Sequence, residues 1–154
     1  MEKLFAVIKY FLTTQFNEEL AEYDDPSPAA ELPRITDKSV TFGAVDPLKI
    51  PNVSVSVLPE SQEGGEGTIS DEETKSKFTV TFVFKGEKYS ELIKRMCRYS
   101  ACFKQSVAKN YTLNEDSVQN VELGSIRFYC DCGQTEKSMT AAEIDLTIYT
   151  SEEY

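Results

Sequence analysis

Apolar and polar residues alternate from Lys77 to Phe84: Phe78, Val80, Phe82 and Phe84 fall on one face, with Thr79, Thr81 and Val83 on the other. That period of two predicts a strand with one buried face. Lys85-Gly86 ends it, and the period then changes. From Glu87 to Lys109, the residues Tyr89, Leu92, Ile93, Met96, Ser100, Phe103 and Val107 recur every three or four positions. This predicts a long amphipathic helix with the small Ser100 set in its apolar stripe. A strand and a helix joined by a glycine turn supply a sheet face and the layer that covers it. The chain is organised around this unit.

The flanking patterns are consistent with it. Glu2 to Ala21 carries Leu4, Phe5, Ile8, Phe11, Leu12, Phe16 and Leu20 at near-helical spacing. This predicts an N-terminal helix within residues 1–22, weakened locally by Thr13 and Thr14. Such a helix packs on a core or docks on a partner. Residues 23–38 form an irregular connector, because Asp24-Asp25-Pro26-Ser27-Pro28 and Leu32-Pro33 cannot continue a helix. Ser39 to Gly43 is a candidate short strand. A longer one follows: Val53, Val55 and Val57 share a face opposite Ser54 and Ser56, and Pro51 and Pro59 delimit it.

Glu60 to Ser76 is hydrophilic and glycine-bearing, with Glu60, Glu63, Glu66, Asp71, Glu72 and Glu73 against Lys75. It predicts a long acidic β-hairpin loop, solvated in the isolated chain and able to order on a partner. Val121 to Cys132 predicts a further strand whose phase slips at Gly124-Ser125, the mark of a bulge or bend. Ala142, Ile144, Leu146 and Ile148 alternate with Glu143, Asp145, Thr147 and Tyr149 in the last strand. The expected fold is α+β: an antiparallel sheet of four to five strands with the N-terminal helix and one long central helix packed mainly on one face. At 154 residues it is expected to be one domain, residues 1–154, with the sheet and long helix in 39–154.

Composition then narrows the chemistry. The chain has no histidine, which removes the commonest general base, metal ligand and pH switch. No apolar run approaches the roughly 20 residues that cross a bilayer, and the N-terminus shows no secretory signal pattern. The four cysteines are therefore expected to be reduced thiols. Cys130 and Cys132 share a strand face. Cys97 and Cys102 lie five apart on a helix, about 140° around its axis. They are either small buried hydrophobes or a zinc site of unusual spacing. Glu143 and Asp145 are paired carboxylates on an exposed strand face, where acid–base work would need a pocket that shifts their pKa values. No nucleophile–base pair or cofactor motif is present, so neither an enzyme nor a cofactor is expected.

Charge is distributed unevenly. Sixteen basic and 26 acidic residues give a net −10, yet Lys85 to Lys109 holds seven basic residues (Lys85, Lys88, Lys94, Arg95, Arg98, Lys104, Lys109) against Glu87 and Glu91. That segment is +5 and leaves −15 elsewhere. Three readings of the basic helix stand together: a solvated face, a nucleic-acid face, and a contact with the acidic part of an identical neighbour in a head-to-tail ring. The candidate interaction residues are Lys94, Arg95 and Arg98 on the helix, and Glu63, Glu66, Asp71, Glu72 and Glu73 on the hairpin.

The order of elements resembles the tail-terminator and tail-completion proteins of long-tailed phages. The resemblance rests on the strand Pro51-Asn52-Val53-Ser54-Val55-Ser56-Val57, the long hairpin, the Phe78 strand, the helix from Glu87, and the closing strand Ala141-Ala142-Glu143-Ile144-Asp145-Leu146-Thr147-Ile148-Tyr149. It covers roughly residues 38–153. It implies a non-enzymatic virion protein of the head–tail neck, assembled in the host bacterial cytoplasm. Copies would form a ring, typically a hexamer, that caps the tail tube and joins it to the head-side connector. DNA would pass through the lumen without specific binding, and an acidic surface would suit such a channel. A small cytosolic binding or regulatory domain, using the basic helix face or a cysteine metal site, is the alternative.

Overall fold

The computed structural model describes residues 2–23, 32–43, 53–64, 73–86, 88–130 and 138–151. Two helices open the chain, α1 (Glu2–Thr13) and α2 (Gln15–Ala21). The two threonines divide them. Thr13 Oγ1 donates to the Lys9 carbonyl at 3.0 Å and Thr14 Oγ1 to the Tyr10 carbonyl at 2.6 Å, and such back-bonding bends a helix. Asn17 then fastens α2 to the connector. Its Nδ2 donates to the Ile35 carbonyl and its Oδ1 accepts from the Ile35 N–H, both at 2.8 Å.

One 3-10 turn at Asp37–Ser39 leads into β1 (Val40–Phe42). Then come β2 (Val53–Gly64), β3 (Thr74–Gly86), α3 (Tyr89–Lys109), β4 (Val118–Cys130) and β5 (Ser138–Thr150). The fold is the expected α+β, a five-stranded sheet in the order β1-β2-β3-β5-β4. The β2–β3, β3–β5 and β5–β4 pairs are antiparallel, and β1 runs parallel to β2, so the sheet is mixed.

The acidic hairpin differs from its sequence reading at the base. Its strands run on to Gly64 and resume at Thr74, with Ser61 opposite Lys77, Gln62 opposite Ser76 and Glu63 opposite Lys75. β5 explains the extension, because it pairs Thr74 to Lys77 from the other side. Ser76 is thereby fully buried and accepts a hydrogen bond from Gln62 Nε2 at 3.1 Å.

The core lies between the three helices and one face of the sheet. Val53, Val55 and Val57 of β2, Phe78 to Phe84 at alternate positions of β3, and Ala142, Ile144, Leu146 and Ile148 of β5 meet Ile8, Phe11 and Phe16 of α1 and α2 and Leu92, Met96 and Phe103 of α3. At its centre the Phe16 ring lies 5.4 Å from Phe82, 5.9 Å from Tyr99 and 5.8 Å from Phe103, separations at which tilted aromatic pairs attract. Tyr99, outside the predicted stripe, is fully buried. Its hydroxyl donates to the Pro33 carbonyl, and burial pushes the phenol above its ordinary range.

β4 shifts register between Leu123 and Ile126, where the sequence predicted a bulge. Gly124 fits there because a Cβ would stand 3.1 Å from the Asp145 Cβ. No helix among the described residues is long and apolar enough to cross a membrane.

Candidate functional site

The residues singled out on α3 do not form one surface. Lys94 is exposed, whereas Arg95 and Arg98 are half-buried. Arg95 Nε and Arg98 Nη1 are themselves out of solvent. The Arg98 guanidinium sits 5.7 Å from the centre of the Tyr23 ring, a cation–π contact that ties α3 to the end of the N-terminal helices. Lys109 Nζ meets Glu19 at 3.0 Å and Glu22 at 3.9 Å, pinning α3 to α2. The Glu19 hydrogen bond raises the Lys109 pKa. Two roles are thus present in the basic segment: Arg95, Arg98 and Lys109 are turned toward their own chain, while Lys94 and Lys104 are exposed.

Of the hairpin carboxylates, Glu63 and Glu73 are exposed near the ends of β2 and β3. Glu66, Asp71 and Glu72 lie outside the described residues. No ion pair joins Lys94, Arg95 or Arg98 to Glu63 or Glu73 among the described residues.

Glu143 and Asp145 sit on the sheet face away from the helices, and Arg127 of β4 spans both. Arg127 Nη2 lies 2.6 Å from Glu143 Oε1 and 2.8 Å from Asp145 Oδ1, while Nη1 donates to Asp145 Oδ2 at 2.9 Å. The hydrogen bond from Arg127 lowers the Asp145 pKa, and the two carboxylates raise that of Arg127, Asp145 contributing most. A carboxylate held ionised in this way is a cross-strand tie rather than a proton-transfer group.

The cysteines are spread out. Cys102 is buried in the core, its thiol pushed up to about 11 chiefly by burial. Cys97 is exposed, as the angle between the two positions implies, and Cys130 is exposed at the end of β4. Cys132 lies outside the described residues, and among those described no three metal-ligating side chains converge.

The feature that sequence reasoning missed is a groove. α3 lies chiefly over β3 and β5 and reaches β4 only at its rim. The uncovered strip is a groove of about 570 Å³, lined by Cys97, Ser100, Ala101 and Lys104 of α3 and by Ile126 and Phe128 of β4. Phe128 is 49% exposed although it pairs with the fully buried Ala142 and shares its face. The short N-terminal helices and α3 together leave part of the β4 flank of that face uncovered. Beside the groove, β4 pairs with β5 alone, so its outer edge is open among the described residues.

The opposite edge is β1, only three residues long. There Phe42, opposite Val57, is 41% exposed, with its ring 4.4 Å from that of Phe5. Both edges thus display an aromatic side chain on the helix side of the sheet.

No protein-family model matches the chain, and no curated protein does. Among solved structures, the chain is similar to a chain described as "Virion of native gene transfer agent (GTA) particle". The TM-score is 0.49 and the identity 9%, over 91% of this chain and 96% of that one. A likeness at this level concerns the coarse path of the chain, and nothing about function follows from it.

Proposed function

We propose that the protein is a non-enzymatic structural component of a phage-like virion, a tail terminator of the head–tail neck. Its copies form a ring, a hexamer as in the family its element order resembles. The ring caps the tail tube, meets the head-side connector and lets DNA pass without specific binding. The observation that carries this reading is the 13-residue edge of β4, open among the described residues and flanked by the apolar groove under α3. An exposed strand edge beside uncovered apolar surface suits association with another polypeptide. Arg127 pairs with both Glu143 and Asp145 across the strands, and its hydrogen bond holds the Asp145 carboxyl below its ordinary pKa rather than poised to move protons. A net charge of −10 also disfavours adhesion of DNA to a channel wall.

Light scattering coupled to gel filtration, with negative-stain microscopy of the protein mixed with tail tubes, tests the proposal. A ring-sized species, or density capping the head-proximal tube end, is the expected result. A chain that remains monomeric at every concentration and leaves tube ends bare overturns it.

A further inference from the structure

We infer that copies of this chain join edge to edge, β4 of one protomer lying beside the β1 edge of the next, with the neighbour's Phe42 seated in the α3–β4 groove. The inference rests on the ring reading and names its contact surfaces.

The strand order β1-β2-β3-β5-β4 leaves two open edges among the described residues, and they are unlike. Joining like edges gives a two-fold dimer and stops. Joining unlike edges is heterologous and repeats from copy to copy until a ring closes.

Geometry sets the aromatic side chains. Residues paired across a sheet share a face. Phe42 pairs with Val57 and Phe128 with Ala142, and both partners are fully buried on the helix side. A sheet continued from β4 into a neighbour's β1 keeps that face, with strands about 4.8 Å apart. The neighbour's Phe42 then arrives on the helix side of β4, where α3 leaves the groove empty. Phe5, stacked on Phe42, presents a second ring behind the first.

Charge agrees in sign. Lys104 lines the groove and is exposed, and Lys94, also exposed, lies on α3 three residues before the groove-lining Cys97. On the other side β1 pairs with Val55 to Val57 of β2, and among the described residues no strand pairs with the outer edge of β2 from Leu58 onward. That side carries Glu60 and Glu63, with Asp37 and Lys38 just before β1. The exposed lysines of α3 and the exposed Glu63 are opposite in sign, which favours the heterologous pairing over the pairing of like edges.

The test uses the full chain. Phe42→Asp and Phe128→Asp each place a carboxylate at one half of the contact, and both positions are partly exposed in the single copy. Each variant alone is expected to lose the large oligomer in sedimentation while its circular-dichroism melt stays cooperative. Mixed in equal amounts, they are expected to form a dimer and nothing larger, because one intact edge of each kind remains. A second arm is independent of any loss of stability. In a Cys130→Ser/Cys132→Ser background, Phe42→Cys treated with a short bismaleimide should give a ladder of linked copies through Cys97, and the ladder should vanish when Cys97→Ser is added. Variants that assemble like the native chain, with linking indifferent to position 97, overturn the edge contact and leave the ring standing. A native chain that never assembles removes the ring itself.

Discussion

Tyr99 joins three segments through one side chain. Its ring packs against Phe84 at 4.9 Å and Phe16 at 5.9 Å, while its hydroxyl reaches the Pro33 carbonyl 66 residues away. By spacing alone it belongs in the α3 stripe, three after Met96 and four before Phe103. What sequence cannot supply is the distant acceptor that makes a buried phenol tolerable. Tyr99→Phe keeps the packing and leaves that carbonyl unpaired, so it should cost about 1–2 kcal/mol, read as a lower urea midpoint with unchanged slope. Arg127 is the second such residue. The Asp145 carboxyl is held below its ordinary value by Arg127. Its contribution to stability is therefore complete above the unfolded carboxylate pKa and is lost as pH falls through the lower folded value. The gap in urea midpoint between the native chain and Asp145→Asn should accordingly narrow as pH falls through the ordinary carboxylate range and below it. A gap that does not change with pH would show that Arg127 does not hold the group.

At the scale of elements, the legible features were those whose cause is local. The strand and helix around Gly86 follow from period alone. The bulge in β4 shows as a phase slip because its glycine breaks the alternation, and the break at Thr14 shows as two adjacent threonines. The base of the hairpin was not legible. Glu60 to Gly64 and Thr74 to Lys77 are polar, and they become strand because β5 pairs with β3 along all 13 of its residues, an interaction made far along the chain. The parallel pairing of β1 to β2 has the same origin: three residues carry too little pattern to fix a direction. Gly124 tests the local account. Gly124→Ala places a Cβ 3.1 Å from Asp145 Cβ and should cost roughly 1–3 kcal/mol by overpacking. It should also disturb the Arg127–Asp145 tie, so its loss should be smaller in an Asp145→Asn background. Equal losses in both backgrounds would place the strain elsewhere on the strand.

Over the whole molecule, the charge count showed where to look but not which residues to choose. Seven basic residues between Lys85 and Lys109 read as one face, and the fold divides them. Arg95 and Arg98 sink guanidinium nitrogens below the surface and Lys109 is bound to Glu19, so reversing these charges removes packing and pairing from the fold itself. Lys94 and Lys104 are exposed, Lys104 in the groove lining and Lys94 on α3 before it. Two consequences separate a contact from a scaffold. Lys94→Glu/Lys104→Glu should leave the thermal midpoint nearly unchanged, since exposed substitutions usually stay within about 0.5 kcal/mol, yet should weaken assembly. Arg95→Glu/Arg98→Glu should lower the midpoint whether or not the chain assembles. Salt supplies the control. Surface attractions fade as the Debye length shrinks from about 10 Å at 0.1 M toward about 3 Å at 1 M, so native assembly should weaken with salt, while the glutamate variant, which meets the acidic edge with like charge, should assemble better as salt rises. Assembly of that variant equal to that of the native chain, with the same response to salt, would mean that the apolar groove forms the contact without electrostatic help.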